Sequence, residues 1–485
     1  MKTSFYALGT AGVLALFLLA SPARAAESAS AEPEAAAKPD PAAAKPDAAP
    51  APKPDPAARV DELEKMVQQL QSELADVKRQ LNAAPAALPA GKPAVEPSAS
   101  ETVPAVPAQS EAATAAPPAA QASAPSEPAS SPFESISING FVDGYYGYNF
   151  QHPRGVAASV PPGSTGTELT PFRAFDAPSN ALSLNMIELT LAKTPDASNS
   201  RLGFNLTFGY GNAMNVVNSA DPAGLGFAQY LKEGYLSWLA PVGKGLQVDF
   251  GKFVTQHGAE VIETSGNWNY SRGILFTYAI PFYHFGVRSK YVFNDKYNFS
   301  AYLVNGWNNI KDNNTGKTGG FQFGWNPTKK ISVVQNYMVG PEQLNDNKDI
   351  RQLWDTVVTY TPTTKLSLMW NFDYGRDTPT GSLTHVWWSG AAGYLRYAFN
   401  EKYAFAGRYE FYDDHNGFTT GGTPQDLNEF TLTFERTVSK HLITRWEFRR
   451  DMSNQPTMLK GSTPTGDQNT ASAGLVYLFD IHEGH

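Results

Sequence analysis

From Ser135 onward the chain alternates apolar and polar residues with a period of two. Residues 201–210 (RLGFNLTFGY) place leucine, phenylalanine and tyrosine on one face and glycine, asparagine and threonine on the other. Residues 366–374, 403–411 and 442–450 repeat this design. An alternation of this kind is typical of a β-strand with one apolar and one polar face. At roughly 9–11 residues, each strand is long enough to cross a lipid bilayer.

The same pattern predicts sixteen strands. They lie near 135–148, 181–192, 201–211, 229–239, 245–253, 282–293, 297–307, 318–326, 331–339, 350–361, 366–374, 386–398, 403–412, 427–436, 442–451 and 469–479. Tight turns follow the even-numbered strands. Longer loops rich in Asn, Gly, Asp and Thr follow the odd-numbered strands. This asymmetry is typical of an antiparallel outer-membrane β-barrel, whose short turns are periplasmic. The predicted fold class is therefore all-β and transmembrane, with both chain ends on the periplasmic side.

The N-terminal region has a different composition. Lys2, the apolar run 8–20 and the small residues around Arg24 predict a signal peptide over residues 1–25. Residues 26–57 and 83–131 are rich in Pro, Ala, Ser and Glu, which favours disordered spacers. We expect the barrel domain to occupy residues 132–485 and to lie in the outer membrane of a Gram-negative cell, with the N-terminal region in the periplasm.

Between the spacers, residues 58–82 carry an unbroken heptad pattern. The apolar residues of its seam alternate three and four apart: Val60, Leu63, Val67, Leu70, Leu74, Val77 and Leu81. Three heptads are marginal for an isolated helix, so the pattern predicts a coiled coil and self-association. An amphipathic helix lying on the chain's own barrel is the alternative. We expect a homotrimer, held by the coiled coil and by the barrel walls.

Composition narrows the functional classes. The 485 residues include no cysteine, which excludes a disulfide, a thiolate nucleophile and a cysteine-ligated metal. The net charge of −8 argues against a nucleic-acid partner. The sequence contains no G-x-S-x-G elbow, Walker A motif or H-E-x-x-H motif, and its eight histidines show no helical metal-ligand spacing. We therefore expect neither an enzyme nor a cofactor or metal.

Charged residues occur opposite the apolar faces of several strands. An arginine or lysine facing lipid at mid-depth would cost roughly 2–4 kcal/mol, so these residues belong inside a barrel. Sixteen strands enclose a lumen wide enough for water. The predicted lumen residues are Arg288, Lys290, Arg408, Glu410, Arg445, Glu447 and Arg449. They can pair with one another and also set the electric field of a pore.

Aromatic residues cluster near the predicted strand ends, as in the interfacial girdle of a membrane barrel. The group comprises Tyr145, Tyr146, Tyr148, Trp238, Trp307, Trp325, Trp387, Trp388 and Tyr397. Residues 472–479 (SAGLVYLF) resemble the C-terminal strand signal that the barrel-assembly machinery binds, although DIHEGH follows. The expected partners are therefore outer-membrane lipid and this machinery.

Four stretches of the barrel region are distinctive: SINGFVDGYYGYN at residues 137–149, EGYLSWLAP at 233–241, FGKFVTQHGAEVIET at 250–264 and NWNYSRG at 267–273. On these stretches the chain, from about 135 to 479, resembles the OmpL-like outer-membrane β-barrel porin family. The resemblance implies a porin for passive diffusion of small hydrophilic solutes or ions. A structural barrel tethered towards the cell wall is the alternative, and a barrel-embedded hydrolase is a more remote one.

The third long loop, 254–273, carries the densest group of polar residues. In general porins the third loop folds inward and narrows the lumen. By that analogy we expect a pore constriction formed by Glu260, Glu263, Asn267, Asn269, Tyr270 and Arg272. An outward loop folded on itself by Asn and Gly turns is the alternative. Acidic and basic candidates are mixed, so the sequence predicts no ion preference.

Overall fold

The computed structural model describes residues 136–154, 160–164 and 168–481. The predicted signal peptide, spacers and coiled coil lie outside the described residues.

Sixteen antiparallel strands form a closed barrel, which confirms the predicted fold class. Strands β1 to β15 lie side by side in sequence order, and each of them up to β14 pairs with the next one along the chain. The last strand, β18, closes the barrel by pairing with both β15 and β1. The bounds are β1 Ser137–Asn149, β2 Ala181–Lys193, β3 Leu202–Tyr210, β4 Leu231–Ala240, β5 Leu246–Val254, β6 Tyr283–Asn294, β7 Tyr297–Val304, β8 Thr318–Thr328, β9 Ile331–Pro341, β10 Ile350–Tyr360, β11 Leu366–Asp377, β12 Val386–Ala398, β13 Tyr403–Asp414, β14 Gln425–Ser439, β15 Leu442–Ser453 and β18 Asp467–Asp480.

Shorter elements lie in the long loops, where the sequence pattern indicated only irregular structure. Helices α1 (Asn212–Asn218) and α2 (Leu225–Ala228) follow β3. A two-stranded sheet, β16 (Met458–Lys460) with β17 (Thr463–Thr465), precedes β18. Among the described residues, none of the helices is long and apolar enough to cross a membrane.

The outer wall is apolar, as the alternation predicts. On β6, for example, Val287 is exposed, whereas the next residue, Arg288, forms an ion pair with Asp249 inside the barrel. Large apolar side chains are exposed around the wall, among them Ile187, Phe208, Leu236, Phe250, Phe299, Phe323, Trp370, Phe430 and Phe448. In water this surface would be unfavourable, but facing acyl chains it needs no partner.

The predicted aromatic girdle is correct only in part. The outer wall exposes Tyr146, Trp238, Trp325 and Tyr397. The prediction was wrong for Tyr145 and Trp388, which are buried at 4% and 1% exposure. The ring of Trp307 lies outside the strands and packs edge-on against Trp388, with centroids 6.2 Å apart. These three aromatic residues belong to the packing inside the barrel and not to its membrane interface.

Candidate functional site: a segment inserted into the barrel

Residues 255–282, which connect β5 to β6, form the inserted segment. Within the closed sixteen-strand order, the strands diametrically opposite β5 and β6 are β13 and β14. The segment reaches both of them, because Glu260 contacts Arg408 on β13 and Asn269 contacts Thr433 on β14. It therefore crosses the whole lumen. It contains a 3-10 turn (Thr264–Gly266) and a π-helical turn (Leu275–Ala279).

The first residues of the segment are fixed to one side of the wall. The imidazole Nε2 of His257 lies 2.9 Å from the hydroxyl of Tyr302 on β7. The backbone N–H of Gly258 donates to Asp355 on β10 at 3.0 Å. The N–H of the next residue, Ala259, donates to Asn371 on β11, also at 3.0 Å. Inward side chains of two strands, β10 and β11, thus satisfy backbone groups that a strand or helix would otherwise pair, and β7 holds the imidazole.

Glu260 lies at a buried hub with Arg408. One carboxylate oxygen is 2.5 Å from Nη1 of Arg408, and the other accepts the N–H of Gly273 at 2.6 Å. The same guanidinium donates to Glu429 at 2.7 Å and to the carbonyl of Ser271 at 2.7 Å. Because Glu260 and Arg408 are both buried, this ion pair is screened little by water. It joins two separate parts of the segment, at Glu260 and at Ser271, to β13.

Glu263 has a different environment. Its carboxylate forms an ion pair with Lys232, which also binds Glu188 at 2.7 Å. The Glu263 side chain is 23% exposed and lies beside a cavity of about 280 Å³ at the short-turn side of the segment. Asn267 does not point to the wall. It pairs with the N–H and carbonyl of Val261, at 2.9 and 2.8 Å, and so shapes the segment itself.

Asn269 and Tyr270 contact the opposite wall. Asn269 donates to the hydroxyl of Thr433 at 2.8 Å, and the Tyr270 hydroxyl donates to Asp143 on β1 at 2.8 Å. The Tyr270 ring lies over Gly474 of β18. A Cβ at that glycine would lie 2.3 Å from the ring carbons, so no larger residue fits without displacing the ring. The absence of a side chain at Gly474 therefore leaves the space that the Tyr270 ring occupies.

Arg272 is buried within the segment and the neighbouring first loop. Its guanidinium donates to the carbonyls of Tyr270, at 2.9 Å, and of Ile262. It also lies over the ring of Phe175, 4.9 Å from the centroid. These contacts are to the protein interior and not to an open lumen.

The predicted lumen residues all lie on the inner face, but they fall into two groups. Five of them contact the inserted segment or the ions that hold it: Arg408, Glu410, Arg445, Glu447 and Arg449. For example, Glu447 accepts the N–H groups of Tyr270 and Ser271 at 2.7 and 3.1 Å. The other two, Arg288 and Lys290 on β6, are half-buried, and Arg288 forms the ion pair with Asp249 described above. The structure thus brings the predicted loop and most of the predicted wall charges together.

An apolar cluster closes over the segment at the long-loop side. Phe175 of the first loop packs against Phe276 and Phe282, with centroids 5.7 Å apart in both pairs. Trp388 donates its indole N–H to the carbonyl of Ala279 at 3.2 Å. The sequence did not assign these residues to the site, since Trp388 was predicted for the girdle, and it did not assign Asp143, Asp355, Asn371 or Gly474 to it. Their only signal was an inward position on a predicted strand or a place in a long loop.

Two carboxylates in the long loops have shifted pKa values. Burial raises the pKa of Glu342 to about 7, against the opposing effect of Arg351 and of two hydrogen bonds. Those bonds come from the N–H of Trp307 at 2.7 Å and the hydroxyl of Thr318 at 2.5 Å. Burial alone would also raise the pKa of Asp176, but the adjacent Arg173 lowers it overall. Within the described part of the chain, no group of three His, Cys, Asp or Glu side chains could hold a metal ion.

Comparison with known proteins gives one family match. A family described as "Putative beta-barrel porin-2, OmpL-like" matches residues 135–479, which extends from before β1 almost to the end of β18. No curated protein matches the chain.

Several solved structures are similar to this chain at low sequence identity. They include an anion-selective porin from Comamonas acidovorans, with 11% identity, a TM-score of 0.49, and coverage of 71% of this chain and 99% of that one. Outer-membrane expressed OmpT of Vibrio cholerae has 10% identity, a TM-score of 0.47, and coverage of 71% and 97%. The outer membrane channel DcaP of Acinetobacter baumannii has 12% identity, a TM-score of 0.45, and coverage of 71% and 97%.

Proposed function

We infer the function from the family, because the chain belongs to the OmpL-like β-barrel porins of the outer membrane. We propose that small hydrophilic solutes and ions cross it passively, through the part of the lumen that the inserted segment leaves free. The observation that carries this proposal is the path of the segment from β5 and β6 to β13 and β14. A segment that crosses a water-wide barrel narrows it and sets the size and charge of what can pass.

We propose that the constriction consists of the exposed side of this segment, with Glu263 as its charged residue. The other predicted constriction residues hold the segment in position and do not border the pore in this proposal. Glu260, Asn269 and Tyr270 fix the segment to the wall, whereas Asn267 and Arg272 hold its internal shape. A segment with this many buried polar contacts is rigid, as a size filter must be.

The chain is a channel and not an enzyme in this proposal. Three buried side chains in or beside the segment that could act in acid–base catalysis contact structural partners. His257 contacts Tyr302, His284 contacts Thr255 and the carbonyl of Gly306, and Glu260 contacts Arg408. None of them combines exposure to solvent with a second group placed for acid–base work.

We also propose a homotrimer, with the long loops outside the cell and the N-terminal region in the periplasm. The even strand number supports this orientation, because it places both ends of the barrel on the short-turn side. The predicted coiled coil would then act between three barrels, and β18 would carry the signal for the assembly machinery.

Single-channel recording from the refolded full chain in a planar bilayer tests the function. We expect stepwise openings, in groups of three if the trimer is correct. A barrel that is folded and inserted but never conducts would refute the porin, and would favour the structural tether.

A further inference from the structure

Glu342 lies where two long loops meet. It is the first residue after β9, and it contacts the β7–β8 loop (residues 305–317) and the first residue of β8. Its carboxylate accepts the backbone N–H of Trp307 at 2.7 Å and the hydroxyl of Thr318 at 2.5 Å. Its backbone carbonyl accepts the side-chain amide of Asn313 at 3.0 Å. These three hydrogen bonds join the two loops at one residue.

The carboxylate of Glu342 is enclosed by protein. The residue is only 8% exposed, and a Cβ at Gly306 would lie 2.6 Å from one of the carboxylate oxygens. A carboxylate with so little contact with water must be protonated or compensated by a nearby cation.

The charges that act on Glu342 come from Arg351 on β10 and Asp377 at the end of β11. The guanidinium of Arg351 forms two hydrogen bonds with Asp377, at 2.9 and 2.6 Å, so its charge is already compensated there. In the β7–β8 loop, Lys317 and Asp312 pair with one another. An ionised Glu342 would therefore add an uncompensated negative charge to a buried site.

Burial raises the pKa of Glu342 from its ordinary value of 4.5 to about 7, against the opposing effect of Arg351. With the loops joined, the carboxyl is mostly protonated below about pH 7, whereas a Glu342 released into water ionises above about pH 4.5. A group whose pKa is raised in the joined state stabilises that state at acid pH and loses this contribution as pH rises to about 7. The equilibrium between joined and separated loops therefore shifts by about two orders of magnitude over this range.

The β7–β8 loop also holds the end of the inserted segment. Asn308, the neighbour of Trp307, accepts the backbone N–H of Phe282 with its side-chain oxygen at 2.7 Å. Its backbone carbonyl accepts the hydroxyl of Tyr283, the first residue of β6, at 2.6 Å. Phe282 is the last residue of the segment. Adjacent residues of one loop thus contact Glu342 and the segment.

The ring of Trp307 provides a second connection. It packs edge-on against Trp388, whose indole N–H donates to the carbonyl of Ala279 in the segment at 3.2 Å. The guanidinium of Arg351 lies over the Trp307 ring, 4.9 Å from the centroid. A movement of Trp307 away from Glu342 would therefore disturb the contacts that hold the second half of the segment.

We propose that protonated Glu342 is a latch, which holds the β7–β8 loop against the inserted segment at acid pH and releases it as the carboxyl ionises. The inference rests on the proposed pore function. Release leaves the contacts of the segment to Asp355, Arg408 and Thr433 in place, so only its end at Phe282 loosens. The pore should therefore be narrowest at acid pH and widen briefly but more often at neutral pH and above.

Single-channel recording of the reconstituted full chain at about pH 5 and about pH 8 tests the latch. We expect excursions to a higher conductance to be at least about tenfold more frequent at the higher pH. A barrel that conducts at neither pH would refute the porin itself. A barrel that conducts with equally frequent excursions at both pH values would leave the porin intact and overturn the latch.

Glu342→Gln removes the ionisation and keeps a neutral side chain of similar size. We expect its excursions to stay rare at both pH values. The matched control is Asp349→Asn, in the same loop, because a hydrogen bond with Asp346 also raises the pKa of the Asp349 carboxyl. The control should keep the pH dependence of the wild type. A control that loses this dependence, or a Glu342→Gln variant that retains it, would overturn the assignment to Glu342.

Asn308→Gly tests the connection to the segment and also serves if Glu342→Gln does not insert. Asn308 has a φ of 58°, which glycine adopts readily, so the loop should keep its shape while the N–H of Phe282 loses its acceptor. We expect frequent excursions at both pH values. An Asn308→Gly variant with the pH dependence of the wild type would show that this loop does not act on the segment.

Discussion

Removing the Glu260 carboxylate should loosen the inserted segment without unfolding the barrel. In Glu260→Ala, Arg408 loses a buried ion pair of 2.5 Å and the N–H of Gly273 loses its acceptor at 2.6 Å. Breaking a buried pair by removing one partner costs about 3–5 kcal/mol. Arg408 keeps Glu429 at 2.7 Å and the carbonyl of Ser271, so we take the lower value.

A loss of about 3 kcal/mol raises the population of a detached segment by roughly two orders of magnitude, since each 1.4 kcal/mol is a factor of ten. The segment retains its contacts to Asp143, Glu410 and Glu447, so it should stay inserted most of the time. We therefore expect brief excursions to a higher conductance and not a permanently wider pore.

Single-channel recording measures the frequency and amplitude of these excursions. The control is Glu401→Ala, because Glu401 is exposed in the short turn after β12. A double-mutant cycle with Arg408→Met isolates the coupling between the two residues. Current noise that equals the wild type in Glu260→Ala, or a coupling energy near zero, would show that this ion pair does not hold the segment.

Three further predictions concern other parts of the chain. Gly474→Ala should displace the Tyr270 ring and change the single-channel conductance. The control is Gly407→Ala, whose added Cβ lies 3.8 Å or more from its neighbours and should leave the conductance unchanged. Equal conductance in the two variants would show that Gly474 does not position the Tyr270 ring. Because burial raises the pKa of Glu342 to about 7, the stability it contributes when protonated is complete at acid pH and is lost as pH rises through about 7. The melting temperature should therefore fall as pH rises from the ordinary glutamate pKa of 4.5 to about 7. A Glu342→Gln variant whose melting temperature shows the same pH dependence would contradict the assignment of this effect to Glu342. Polar substitutions at the leucines of the predicted coiled-coil seam should weaken oligomers and leave monomeric barrels intact, as cross-linking can measure; oligomers that persist would assign assembly to the barrel walls.

The sequence predicted the loop that forms the candidate site but not the wall residues that this loop contacts. The polar residues of the third long loop stand together in the chain, so their density alone marked them as a functional segment. The wall residues that they contact are far away in the chain. Glu260 and Arg408 are 148 residues apart, and Tyr270 and Asp143 are 127 apart. No local pattern relates such positions, because they meet only when β18 pairs with β1 and closes the barrel.

The sequence by itself determined the barrel, its sixteen strands and the side of each strand that faces lipid. Successive side chains of a strand point to opposite faces, so the alternation separates an apolar face from a polar one. Lipid tolerates neither charges nor unpaired backbone edges, so the apolar faces must point outward and the strands must close into a barrel. The tertiary structure decided which inward groups meet water. Tyr145 and Trp388 look like interfacial aromatics in the chain, yet the inserted segment gives them an interior to pack against. The same segment buries inward carboxylates and arginines of β13–β15 together, such as Glu429 and Arg408, because burial depends on what packs across the lumen and not on neighbours in sequence.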